Sequence, residues 1–135
     1  MIAFEESSAY HLLPVAQGLS LAAGLFHSLV ISDHLVEWWG YGTFFVIITL
    51  TQVLYTMALD RWPSRPLLLL GIAGNLVSII LWLATRTVGI PFFGPDAGQV
   101  EAVGPLDLLV KLLELVLISV LVGLVYVWPR RAETS

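Results

Sequence analysis

Two short stretches hold the residues whose types and spacing could do chemistry: GLFHSLVISDHLVEWWGYG (24–42) and GPLDLLVKLLE (104–114). In the first, His27 and His34 lie two helical turns apart, so both imidazoles project to nearly the same side, and Glu37 follows at helical spacing. In the second, Asp107, Lys111 and Glu114 recur at i, i+4 and i+7. Neutral imidazoles and carboxylates ligate zinc, copper(II), iron or manganese, and helix-borne Glu and His ligands recur in bundle metal sites. The expected metal ligands are therefore His27 and His34 with one or more of Glu37, Asp107 and Glu114. Such a site needs neutral imidazoles, so its affinity should fall below about pH 6.5. Arg86 is the expected cross-helix partner for an acid that Lys111 leaves unpaired, and Gln52 and Asn75 should form a hydrogen-bonded floor near mid-membrane. Asp107, two residues after Pro105 in a first helical turn, is also favoured there by the helix dipole alone.

Several chemistries are excluded. The chain has no cysteine, which removes disulfides, thiolate metal sites, iron–sulfur clusters and c-type haem attachment. Met1 and Met57 are its only thioethers, too few for a copper(I) carrier. His11, His27 and His34 all lie on or beside one helix, which disfavours a bis-histidine haem within a single chain. No HExxH, phosphate loop, dinucleotide fingerprint or glycine-flanked nucleophile occurs. A net charge of −4, with no basic run beyond Arg130–Arg131, argues against nucleic acid and against a polybasic lipid-binding tail.

The elements that must position these side chains follow from composition. Of 135 residues 58% are hydrophobic and 12% charged, and the mean hydropathy is +0.89. That is too apolar for a chain with a wet surface to cover, so the ruler is the bilayer, at roughly 20 apolar residues per crossing. Apolar runs at about 10–33, 42–60, 67–87 and 106–128 predict an all-α, polytopic four-helix transmembrane bundle forming one membrane domain. The expected breaks are GYG at 40–42, DRWPSRP at 60–66 and the Gly/Pro-rich loop 88–105, a candidate lid. The N-terminus carries acids and no base before its first apolar run, unlike a cleaved signal peptide.

Arg61, Arg65, Arg130 and Arg131 all fall on one side of these spans, while the first connection has no Lys or Arg. The positive-inside rule then predicts a cell (inner or plasma) membrane protein with both termini cytoplasmic and the loop 88–105 outside. Trp38, Trp39 and Tyr41 at one end and Trp62, Tyr126 and Trp128 at the other fit aromatic belts. Ala16, Ser20 and Gly24 form a small-residue ridge on the first helix, which His27 continues. At about 1.5 Å per residue, His27 falls roughly 8 to 10 Å below the outer boundary and Glu114 roughly 12 Å below it. These groups should face each other or a wet cavity, because a charge facing lipid at that depth costs about 2.5 to 3.5 kcal/mol.

The segments AGLFHSLVISDHLVEWWGYGTFF, AGNLVSIILWLATRTVGIPFFGP and GPLDLLVKLLE together resemble a group of small bacterial four-helix integral membrane proteins of uncharacterised function. The resemblance runs from about Gly18 to about Glu114, implies the same fold, and brings no activity, cofactor or partner. The leading expectation from the residues is an outward-facing His/carboxylate pocket that binds a divalent metal ion or cofactor. The alternatives are an accessory or assembly subunit of a larger membrane complex, or a homo-oligomer, and proton or ion translocation. Mostly apolar residues below Gln17, Gln52 and Asn75 favour a dead-end pocket over a conduit.

Overall fold

A computed structural model describes residues 2–129, with side chains from Ser7 onward; Arg130 and Arg131, which support the orientation expected above, lie outside the described residues. The chain is helical almost throughout: α1 (Ile2–Leu29), α2 (Ile31–Glu37), α3 (Trp39–Arg61), α4 (Arg65–Thr87) and α5 (Pro105–Val127). Four segments, α1 with α2, α3, α4 and α5, are long and apolar enough to cross a membrane. Leu25, Leu54, Leu70, Ile80 and Leu112 stand exposed along these helices, as lipid-facing side chains must. The protein is an integral membrane protein with the expected all-α architecture.

The first connection departs from the sequence reading. α1 ends at Leu29, Val30 interrupts it, and α2 continues to Glu37, so the chain turns at the extended Trp38 rather than at GYG. Gly40 and Gly42 lie inside α3 with no positive φ. Their role is close approach: a Cβ at Gly40 would overlap the Trp38 indole, and one at Gly42 the Leu35 side chain. The second connection is short because Ser64 caps α4, its Oγ accepting from Leu67 N at 3.4 Å, with Pro66 in the first turn.

α1 packs against both α3 and α5, and α4 packs on α5, so the helices form a curved row in the order α3, α1, α5, α4. Ala16, Ser20 and Gly24 are buried along the contact side of α1, as the ridge predicts. A Cβ on Gly24 would come within 3.1 Å of Gln52 Cβ, so glycine sets how near α3 can lie. The apolar core, Ala16, Leu59, Leu68, Leu117 and Leu121, fills the half of the bundle away from the 88–104 loop. Each of these side chains is fully buried.

The ends of the row, α3 and α4, meet in that same half. Gln52 Nε2 donates to Asn75 Oδ1 at 3.2 Å, and Tyr55 Oη donates to Leu67 O at 3.0 Å. Toward the loop the two helices part, and side chains from both line the space between them. The loop spans this gap. Tyr41 on α3 donates to Phe93 O and accepts from Asp96 N, both at 3.1 Å. At the loop's other end, Glu101 N donates to Thr85 O on α4 at 2.9 Å. Gly94, at φ +81, passes so close to the Tyr41 ring that a Cβ would stand 2.5 Å from its hydroxyl oxygen.

Candidate functional site

The gap between α3 and α4 is a cavity of about 340 Å³, within the range of small-molecule sites. Its walls are largely apolar, with Phe44, Phe45 and Ile48 from α3 facing Leu81 from α4. Two polar clusters stand out, His27, Ser78 and Lys111 deep in the cavity and Arg86 with Asp107 and Glu101 at the loop end, while His34, Asp96 and Gln99 also line it.

The deep cluster converges on Glu114, which is itself fully buried. Glu114 Oε1 accepts from His27 Nε2 at 3.0 Å and from Ser78 Oγ at 2.9 Å. Its Oε2 accepts from Lys111 Nζ at 2.7 Å, and Lys111 also donates to Ser78 Oγ at 2.9 Å. Three helices therefore meet at one carboxylate. A carboxylate accepts and does not donate, so His27 bears a proton on Nε2, and in the neutral imidazole Nδ1 is then left as an acceptor. Lys111 uses two of its three protons within the cluster. Paired charges with satisfied hydrogen bonds are the form in which ionisable groups persist inside a membrane. Glu114 does not reach the cavity surface, so it acts by holding the three side chains that do.

At the loop end the Arg86 guanidinium forks, Nη1 donating to Glu101 Oε2 at 2.6 Å and Nη2 to Asp107 Oδ2 at 2.7 Å. Asp107 Oδ2 also accepts from Gly104 N at 3.2 Å, which secures the first turn of α5. Asp107 thus fills the helix-start role expected of it and binds Arg86 as well. Beneath the cavity Ser20 Oγ reaches Gln52 Oε1 at 2.8 Å, and Gln52 reaches Asn75, whose Nδ2 donates to Gly71 O at 2.8 Å. This is the hydrogen-bonded floor expected of Gln52 and Asn75.

The four expected metal ligands are not brought together. His27 and Glu114 bond directly to each other. His34 lines the cavity, but its Nδ1 donates to Val30 O at 2.8 Å and its ring lies 4.3 Å from that of Phe45. Glu37 is exposed at the end of α2. Among the described residues no group of three or more His, Asp or Glu side chains converges as a metal ion would need. The donors are already spent: His34 Nδ1 is held by Val30 O, the Glu114 oxygens are taken by His27, Ser78 and Lys111, and Glu37 stands exposed at the end of α2.

Two partners escaped the sequence reading. Ser78 lies on the same face of α4 as Asn75 and Trp82, three residues after one and four before the other, but serine is too common in membrane helices to stand out. Glu101 lies in the loop, where helical spacing carries no information. No protein-family model matches the chain, and neither a curated protein nor a solved structure does.

Proposed function

We propose that this membrane protein binds a small organic molecule in the cavity between α3 and α4, its polar end at His27, Ser78 and Lys111. One observation carries the reading: three side chains from three helices line the cavity while a buried carboxylate behind them fixes their positions. A cluster serving helix packing alone would have no need of a space in front of it, and packed protein leaves few voids larger than a water molecule. The apolar walls suit the body of an organic ligand, and the Ser20–Gln52–Asn75 floor favours a cavity that ends within the membrane over a conduit through it. The donor geometry gives no support to metal ligation by His27, His34, Glu37 and Glu114.

We orient the loop end away from the cytoplasm of a cell membrane, because Arg61 and Arg65 lie at the opposite end and residues 88–104 contain no Lys or Arg. The chain has no native cysteine, so labelling of an Asp96→Cys variant by an impermeant maleimide on intact cells tests this directly.

Binding is tested by gentle purification from native membranes, followed by native mass spectrometry and solvent extraction. A small molecule should accompany the wild type and be depleted about tenfold in His27→Ala, the equivalent of one lost hydrogen bond of about 1.4 kcal/mol. An empty wild-type protein that no compound of a chemically diverse set stabilises thermally would refute the reading.

A further inference from the structure

We infer that the occupant is a neutral, bilayer-dissolved molecule bearing a hydroxyl or carbonyl group, and that it enters sideways from the lipid between α3 and α4. The inference rests on the cavity being a binding site, as proposed above. It follows from the charges on the wall and from where the wall is open.

Every cation facing the cavity is already opposed. Lys111 has Glu114 at 2.7 Å, and Arg86 has Glu101 at 2.6 Å and Asp107 at 2.7 Å. An anionic head would have to take Lys111 from a fully buried carboxylate or Arg86 from its two acids, leaving a carboxylate unpaired in a medium that penalises it. A cationic head placed at the deep cluster would meet the Lys111 ammonium itself. What the paired deep cluster leaves free is one donor, the third Nζ–H of Lys111, and, in the neutral imidazole, one acceptor, Nδ1 of His27. A hydroxyl can use both, and a carbonyl can accept from Lys111.

The loop is tethered on both sides of the gap. Tyr41 holds Phe93 and Asp96 against α3, and the Phe93 ring stands edge-on to Trp38 with centroids 5.1 Å apart. On the α4 side, Glu101 is tied through Arg86 and through Thr85 O. The opposite half of the α3–α4 seam is closed by Gln52–Asn75 and Tyr55–Leu67. Between these closures the facing side chains are apolar, Ile48 half-buried and Leu81 36% exposed. Among the described residues no hydrogen bond joins α3 directly to α4 on the loop side of Gln52–Asn75. A passage walled by hydrocarbon and sited at membrane depth admits what dissolves in hydrocarbon.

The test uses the full chain in lipid nanodiscs with two photoreactive probes of equal length, a diazirine-bearing decanol and a diazirine-bearing decyl sulfate. The alcohol should label cavity residues of α3 and α4 saturably, in competition with 1-decanol, and at least about tenfold more than the sulfate, the factor set by about 1.4 kcal/mol. Ile48→Trp, which narrows the gap, should slow labelling several-fold. Gly94→Ala, which must displace the loop from Tyr41, should leave the rate unchanged. Where Ile48→Trp fails to fold by circular dichroism, Leu81→Trp makes the same test from the facing helix. Equal labelling by the sulfate, or acceleration by Gly94→Ala with no effect of the tryptophan variants, overturns the inference while leaving the cavity a binding site. Absence of saturable labelling by the alcohol also overturns it, and the mass measurement on the native preparation then decides separately whether any molecule binds.

Discussion

Lys111→Met should destabilise the protein more than Glu114→Gln, although the two residues are partners. Their side chains are 10% and 0% exposed and meet at 2.7 Å. Removing the ammonium strands a carboxylate on a short stem among the helices, and breaking a buried pair from one side costs about 3 to 5 kcal/mol. Ser78 and His27 still donate to that carboxylate, which puts the loss near the lower figure, about 3 kcal/mol. The reverse change leaves the ammonium on a flexible stem at the cavity wall, one helical turn from Asp107, which it can approach. The glutamine oxygen continues to accept from Ser78, so Glu114→Gln should cost about 1 to 2 kcal/mol. The double variant buries no unpaired charge and should cost about 1 kcal/mol, giving a coupling energy of about 3 kcal/mol between the sites. Reversible unfolding in mixed micelles of increasing dodecyl sulfate content, followed by circular dichroism, measures all three variants. A loss below about 1 kcal/mol for Lys111→Met would refute the reasoning by showing that Glu114 already stands in water, and a larger loss for Glu114→Gln would refute it by showing that the ammonium finds no substitute partner.

Gly71→Ala should cost about 1 to 3 kcal/mol in the same unfolding measurement, because the added methyl overlaps the Tyr55 hydroxyl that seals the α3–α4 seam. Gly74→Ala, one turn along α4 with nothing within 4 Å of its Cβ position, should be neutral or gain about 0.5 kcal/mol from helix propensity; equal losses at the two sites would mean that α4 packs on another face. Arg86→Lys replaces a fork that holds two carboxylates by a single point charge, so amide exchange across residues 89–103 should quicken about tenfold, for about 1.4 kcal/mol of lost closure. Unchanged protection would show that the Tyr41 bonds and the Glu101–Thr85 backbone bond hold the loop without Arg86.

The four crossings were legible because each depends on local composition: a helix in lipid satisfies its own backbone, and roughly 20 apolar residues suffice to call for one. The meeting of His27 with Glu114, 87 residues apart, and of Gln52 with Asn75 was legible for a related reason. Polar groups at equal depth in hydrocarbon have few other places to go. Sequence alone did not reveal that the first helix is interrupted at Val30, that Gly40 and Gly42 admit Trp38 and Leu35 rather than forming the turn, or that Glu37 leaves the site while His34 lines the cavity without joining the Glu114 cluster. Ser78 and Glu101 became partners only once α4 had been laid on α5 and the loop folded back. Depth along the membrane normal is thus written in the order of residues, because the solvent reads it one helix at a time. Which helices touch, and where α3 and α4 part to leave a cavity, is decided by the fit of side chains distant in the chain, and only the tertiary structure records that fit.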